Sequence, residues 1–368
     1  MRWRLESVLT LVINTLWMQN IVTDRDVCKC KNQTLCKPIS SSHRVQVEVF
    51  GFHIGTDRWV QYHWPKITTI VVSGAVEDKF YCIVHSYNIR LVLKADITMY
   101  HLRDNATMEL WKNHIVVLVR TYNLDGIYIH FSGKLNKGTW NYHELTRMVI
   151  KSASHFRNEL PGCQISFAVP WTPSCKKERC YDFLAIAHVI DFFFVESFKI
   201  PNDKREGCVA TSSSPYHHVL TGLSDYIKMG VDSRKLVMGV AWYGYDYTCK
   251  SFSKDGTCEL EIGSHKDPCS YKVAKLMRYK DIVKHLPRSL TGKVWNDVRK
   301  APYFVFMDGK TYHQVWYDDP ESISMKSTFL KKLKLGGIGV VKLNDLDHNR
   351  TAWATLHAEE MWNALCPP

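Results

Sequence analysis

The sequence predicts an α/β protein built around parallel strands, and three observations point there. Eight short apolar runs rich in branched residues recur along the 368 residues, each followed by a stretch with helical periodicity. Several of these runs, notably Asp191-Phe-Phe-Phe-Val195 and Lys235-Leu-Val-Met-Gly-Val240, are continuously apolar, as strands covered on both faces must be. Two intervals, Leu145 to Phe156 and Ser322 to Leu335, carry apolar residues three and four apart, the stripe of a helix with one buried face. A closed (β/α)8 barrel and a doubly wound open sheet both produce this alternation.

Taken in order, the chain opens with Arg2 and Arg4, an apolar stretch from Val8 to Trp17, and polar residues from Gln19 onward. That outline predicts a signal peptide over residues 1–23, its apolar core too short to span a membrane. Cys28, Cys30 and Cys36 follow, and Cys249, Cys258 and Cys269 gather later; twelve cysteines in all suit an oxidising compartment and disulfide pairing. Cys163, Cys175 and Cys366 are the candidates for free thiols. Acceptor sequons at Asn32, Asn105 and Asn349 would be glycosylated on export, placing the chain in the secretory pathway, lysosomal or extracellular. The strand runs are Val45 to Phe52, Ile67 to Val72, Ile89 to Leu93, Gly126 to Phe131, Gln164 to Val169, Ile190 to Val195, Leu236 to Ala241 and Gly337 to Val341. Between the last two lies a segment of another kind, residues 247–319. It holds three cysteines, the turn signal Asp255-Gly256, and strand-like runs at Pro302 to Phe306 and His313 to Tyr317. It reads as a small disulfide-pinned insertion within a single unit spanning 24–368.

Composition narrows the function classes. A chain that is 45% hydrophobic and 23% charged can bury a large core. The net charge of +12 attracts anionic polymers such as sulfated glycans, without specificity. The basic residues are scattered, with no zinc spacing, phosphate loop or basic stripe interleaved with aromatics, so neither nucleic acid, metal nor any other cofactor is expected.

Three passages carry a resemblance: Cys28-Lys-Cys-Lys-Asn-Gln-Thr-Leu-Cys-Lys-Pro-Ile39, Lys235-Leu-Val-Met-Gly-Val-Ala-Trp-Tyr-Gly-Tyr-Asp-Tyr-Thr-Cys249 and His313-Gln-Val-Trp-Tyr-Asp-Asp-Pro-Glu-Ser-Ile323. Together they resemble glycoside hydrolase family 18, in particular its chitobiase-type members. The resemblance runs from about Cys28 to the C-terminal region and favours the TIM barrel over the open sheet. It implies a monomeric protein that handles N-acetylglucosamine oligosaccharides and needs no cofactor.

The family signature, D-x-x-D-x-D-x-E at the end of the fourth strand, corresponds to Asp125-Gly-Ile-Tyr-Ile-His-Phe-Ser132, where only the first carboxylate survives. Side chains alternate along a strand, so Tyr128, His130 and Ser132 are expected in the lumen and Ile127, Ile129 and Phe131 against the helices. The family chemistry is substrate-assisted: a Glu protonates the leaving oxygen, and an Asp two residues earlier stabilises the cation formed by the sugar's own N-acetyl group. Ser132 stands in place of that acid, and a hydroxyl cannot supply a proton near neutral pH. His130 stands in place of the Asp and cannot offset positive charge.

Other departures agree. The family's M-S-Y-D at the sixth strand is Glu196-Ser-Phe-Lys199, and its G-I-G-M-W-N at the eighth is Gly337-Ile-Gly-Val-Val-Lys342, which removes the Trp floor and adds two lysines. These losses predict a degenerate, inactive site acting by carbohydrate or protein binding. The competing expectation is an active exo-acting glycosidase using Glu196, whose carboxyl would have a raised pKa in a partly apolar cleft. Trp242, Tyr243 and Asp246 match the family's sugar contacts, yet aromatics at strand ends are also ordinary core. Asp125, its lumen partners gone, reads as a buried structural carboxylate, and His130 as a satisfied core histidine.

Overall fold

The computed structural model describes residues 30–40, 47–54, 59, 62–175, 179–200, 207–261, 274–347, 349 and 351–365. The proposed signal peptide, Cys28, Cys269 and Cys366 lie outside them.

Eight parallel strands close into a barrel: β1 (Glu48–Phe52), β2 (Thr69–Val72), β3 (Arg90–Thr98), β4 (Gly126–Ser132), β5 (Gln164–Pro170), β6 (Phe192–Glu196), β7 (Leu236–Ala241) and, last in sequence, β15 (Gly337–Val341). The barrel closes where β1 pairs with β15, Val49 opposite Ile338. All eight strands fall on the runs read from sequence, and closure decides for the barrel over the open sheet. Only β3 is substantially longer than expected, continuing past Leu93 to Thr98.

The covering helices are α1 (Asp78–Ser86), α2 (Asn105–Thr121), α3 (Trp140–Glu159), α4 (Phe183–Val189) and α5 (Tyr216–Met229), followed by α6 (Tyr279–His285), α7 (Pro320–Lys332) and α8 (Ala352–Leu365). The chain's own chemistry sets their starts. Asp104, Thr139, Asp182 and Asp319 each accept a backbone N–H of the first turn, satisfying a donor the helix leaves open. None of the described helices is long and apolar enough to cross a membrane.

Alternation divides the core in two. Ile127, Ile129 and Phe131 pack outward against the helices, and Tyr128 packs inward. The inner cluster is aromatic: Phe50, Phe52, Tyr128, Phe192 and Phe194 meet at centroid separations of 5.0–6.0 Å. Gly239 and Gly339 make room for Phe194, since a Cβ at either would stand 2.8 or 2.6 Å from its ring. The barrel is therefore a filled core below its mouth, not a pore.

Between β7 and β15 stands a five-stranded antiparallel sheet of β8 (Tyr243–Thr248), β11 (Lys275–Arg278), β12 (Val294–Asn296), β13 (Ala301–Asp308) and β14 (Thr311–Trp316), in the order β11-β8-β14-β13-β12. A short hairpin of β9 (Ser251–Phe252) and β10 (Cys258–Glu259) is closed by the Cys249–Cys258 disulfide. The sheet begins at Tyr243, four residues before the expected boundary, because only Trp242 separates β7 from β8.

Cys30–Cys82 and Cys175–Cys180 are also bonded, and Cys36 and Cys208 are disulfide-linked. Of the three thiol candidates, Cys175 is thus paired, whereas Cys163 is free and buried, its thiol pushed up to about 11 by burial. Such a thiol is inert rather than reactive.

Candidate active site at the barrel mouth

The C-terminal ends of the strands form the mouth, where this architecture gathers functional side chains. Asp125 lies at the opposite end, where β4 starts. Its carboxylate is fully buried and accepts from the backbone N–H groups of Ile39 (2.7 Å) and Leu91 (2.6 Å), with His85 Nε2 at 3.0 Å. The other ring nitrogen of His85 meets the Leu35 carbonyl at 2.7 Å, so Asp125 clamps the 30–40 segment to the barrel floor. Four residues of the signature thus have two separate fates.

At the mouth end of β4, His130 Nδ1 lies 2.8 Å from Asp96 Oδ1, and Lys94 Nζ lies 2.5 Å from Asp96 Oδ2. His130 is partly exposed and paired, not a core histidine. The parallel register puts Asp96 directly opposite His130. The His130 hydrogen bond foremost, then Lys94, draws the Asp96 carboxyl down to about 2 despite the opposing effect of burial. Ser132 is exposed, and its Oγ donates to the Ile97 carbonyl at 3.5 Å.

Glu196, at the end of β6, is buried and has its Oε2 2.5 Å from Arg179 Nη1. The expected rise in its pKa is reversed. Burial alone would raise it, but the Arg179 guanidinium, then Lys199 and His130, hold the carboxyl below the ordinary range. Arg179 is itself positioned by the five-residue Cys175–Cys180 closure and by a bridge to Leu135 after β4. No signal in the lysine-rich loop sequence marked Arg179. Asp96 was discoverable, because Lys94 and Asp96 continue the inward alternation of β3.

The expected sugar contacts scatter. Trp242 is fully buried in the outer core, edge to face with Trp362 at 4.7 Å, so it has no surface to offer a ligand. The alternation that turns Ala241 and Tyr243 toward the lumen cluster turns Trp242 away. Asp246 is on the other face of β8, with its Oδ1 2.9 Å from His313 Nδ1, and so is separated from Tyr243. Tyr243 does stand at the mouth, 6.4 Å from Phe198 and 5.8 Å from Tyr245. Behind it, Tyr245, Trp316 and Tyr303 lie in register across the sheet, the last two stacked at 4.6 Å. Lys199 Nζ is 5.5 Å from the Phe198 ring centre and Lys342 Nζ is 5.8 Å from that of Tyr243.

The sequon residues Asn32, Asn105 and Asn349 are all exposed. No group of three or more His, Cys, Asp or Glu side chains able to hold a metal occurs among the described residues.

Residues 96–345 match the family model described as glycosyl hydrolases family 18. The chain is 38% identical to human di-N-acetylchitobiase over 342 residues, 92% of this chain and 88% of that protein. Among solved structures, a class V chitinase from Nicotiana tobaccum, determined in complex with NAG4, superposes with a TM-score of 0.65. It shares 15% identity and covers 85% of this chain and 98% of its own. A chitinase-like agglutinin from Robinia pseudoacacia superposes with a TM-score of 0.63 at 14% identity, over 86% of this chain and 99% of that one.

Proposed function

The chain belongs to the glycosyl hydrolases of family 18, and from that premise we propose that it is a chitobiase-like glycoprotein of the secretory pathway that no longer cleaves glycosidic bonds and acts by binding. The observation that carries this reading is the charge state of the mouth. A general acid must hold a proton at working pH and release it to the leaving oxygen. Ser132 has no such proton, and the carboxylates of Asp96 and Glu196 are each paired with cations that keep them ionised. An oxocarbenium-like transition state also needs negative charge beneath it, and the mouth supplies ammonium groups at Lys199 and Lys342 instead. A residue that loses general acid catalysis forfeits roughly a hundredfold to ten-thousandfold in rate.

The relocated-acid reading needs Glu196 to be protonated, and its ion pair with Arg179 argues against that. The disulfides suit an oxidising compartment, and the exposed sequons suit glycosylation there. Ligands of chitooligosaccharide type are the natural first candidates, given the family and the relatives' names.

The test is incubation of purified protein with chitobiose-type oligosaccharides across about pH 4 to 7, beside the Glu196→Gln variant and a mock preparation. The expected result is no release of N-acetylglucosamine above the mock. Sustained release that disappears in Glu196→Gln would establish the relocated acid in its place.

A further inference from the structure

The charges at the mouth do not balance, and the imbalance has a location. Lys94 and His130 are taken up by Asp96, and Arg179 is taken up by Glu196. Lys199 and Lys342 remain. Among the described residues neither ammonium has a carboxylate within ion-pair distance, and each stands over an aromatic ring instead, Phe198 and Tyr243 respectively. The two rings are neighbours, 6.4 Å apart, so the two ammonium groups stand over adjoining rings, one borne by a residue just past β6 and the other by the residue that follows β15. Lys342 has a left-handed backbone, φ +61°, which a non-glycine residue adopts at a cost. The remaining carboxyl near it is Asp345, buried beyond the turn, where burial pushes it up to about 7 although Lys342 opposes this. It compensates Lys342 only partly around neutral pH.

Room for a ligand lies on the Lys342 side of the mouth. A groove of about 530 Å³ runs along the mouth ends of β1 and β2, lined among the described residues by His53, Ile54, Trp59, Ser73, Glu77 and Phe80. Its edge is tied to the Lys342 turn, because the Ile54 N–H donates to Asn344 Oδ1 at 3.3 Å and Tyr62 bridges His53 to the same oxygen.

We propose that the barrel mouth receives an anionic saccharide, one carrying a carboxylate or a sulfate ester, with Lys199 and Lys342 as the pair that binds its charge. This rests on the reading that the mouth binds sugar without cleaving it, and it names the class of sugar. Neither ammonium is in contact with a carboxylate among the described residues: Lys199 acts on Glu196 only at longer range and Asp345 compensates Lys342 only in part, so an anion bound at the mouth gains attraction from both. A neutral chitooligosaccharide gains none of it.

The test is calorimetric titration of the full glycosylated protein with four probes: a glucuronate-containing disaccharide, 6-O-sulfated N-acetylglucosamine, neutral chitobiose and inorganic sulfate. Wild type is compared with Lys199→Gln/Lys342→Gln and with the surface control Lys331→Gln/Lys332→Gln on α7. Binding of either anionic sugar that weakens on the order of tenfold in the mouth variant, is unchanged in the control and falls with salt is the expected result, and the two sugars separate carboxylate from sulfate. Equal loss in the control would overturn the site in favour of diffuse charge. Equal affinity for chitobiose, or binding of inorganic sulfate alone, would overturn the ligand class. Absence of binding, with no turnover of chitobiose either, defeats this inference and leaves the non-hydrolytic reading standing.

Discussion

Asp125→Ala is expected to cost about 3–5 kcal/mol of stability, the range for removing one partner of a buried, fully paired charge. Its side chain has no exposure, and the substitution strands two backbone donors, at Ile39 and Leu91, together with the His85 ring. Each orphaned buried donor carries its own desolvation penalty of about 1–3 kcal/mol, part of which water entering the site recovers. Because Asp125 is the knot between the 30–40 segment and the barrel floor, that segment should also lose amide protection while remaining tethered by Cys30–Cys82. Asp125→Asn should recover only part of the loss, since an amide accepts at one atom and donates at the other. Denaturant titration together with hydrogen exchange checks this. A variant as stable as the wild type would mean that Asp125 is held for chemistry rather than for structure.

Arg179→Met should have the next largest effect, and its sign depends on pH. In the wild type the folded-state pKa of Glu196 lies below its unfolded value, so the pair's contribution is present above the unfolded pKa and is lost as pH falls through the folded one. Without the guanidinium, Glu196 keeps its burial and loses its main counter-ion, so its pKa rises above the ordinary range. The variant's penalty is then fully present above that raised value and shrinks as pH falls through it. We expect about 2–3 kcal/mol near neutral pH. This is less than for a wholly buried pair, because the Arg179 side chain is 26% exposed and Lys199 still acts on the carboxylate. Thermal unfolding of both proteins at several pH values tests it, and a gap independent of pH would contradict the ion-pair account.

The fold was legible because its strands are unambiguous. A barrel strand covered on both faces is a continuous apolar run, and Gln164–Pro170 and Phe192–Glu196 are buried throughout as that pattern requires. The end of β3 was hidden because Lys94 and Asp96 interrupt the apolar run. They do so at the mouth, where alternate residues leave the core, so a polar residue there reports position and not a break in the strand. The start of the five-stranded sheet at Tyr243 was hidden for the opposite reason. Tyr243, Tyr245 and Tyr247 look like more of the barrel while forming one face of a different sheet.

The site was legible in what it lacks and illegible in what replaced it. His130 and Ser132 could be read as losses from their place on β4. That His130 pairs with Asp96 follows from the register of β3 on β4, which local patterning does not specify. Arg179 reaches Glu196 across 17 residues from a loop, and nothing in the alternation of β6 announces a cation there. Trp242 shows the converse limit: its match to the family's sugar contacts left it a candidate ligand surface, and one step of strand parity places it in the core against Trp362.

The account turns on whether Glu196 or Asp96, the carboxyl groups beside the altered β4 positions, keeps a proton for a leaving sugar. Carbon-13 NMR titration of the labelled wild-type protein reads this directly at Glu196 and Asp96. Both should be ionised throughout the weakly acidic range, with Glu196 titrating below its ordinary 4.5 and Asp96 at about 2. A midpoint for Glu196 near about 6, the range of a working general acid, would contradict the account and return the mouth to catalysis.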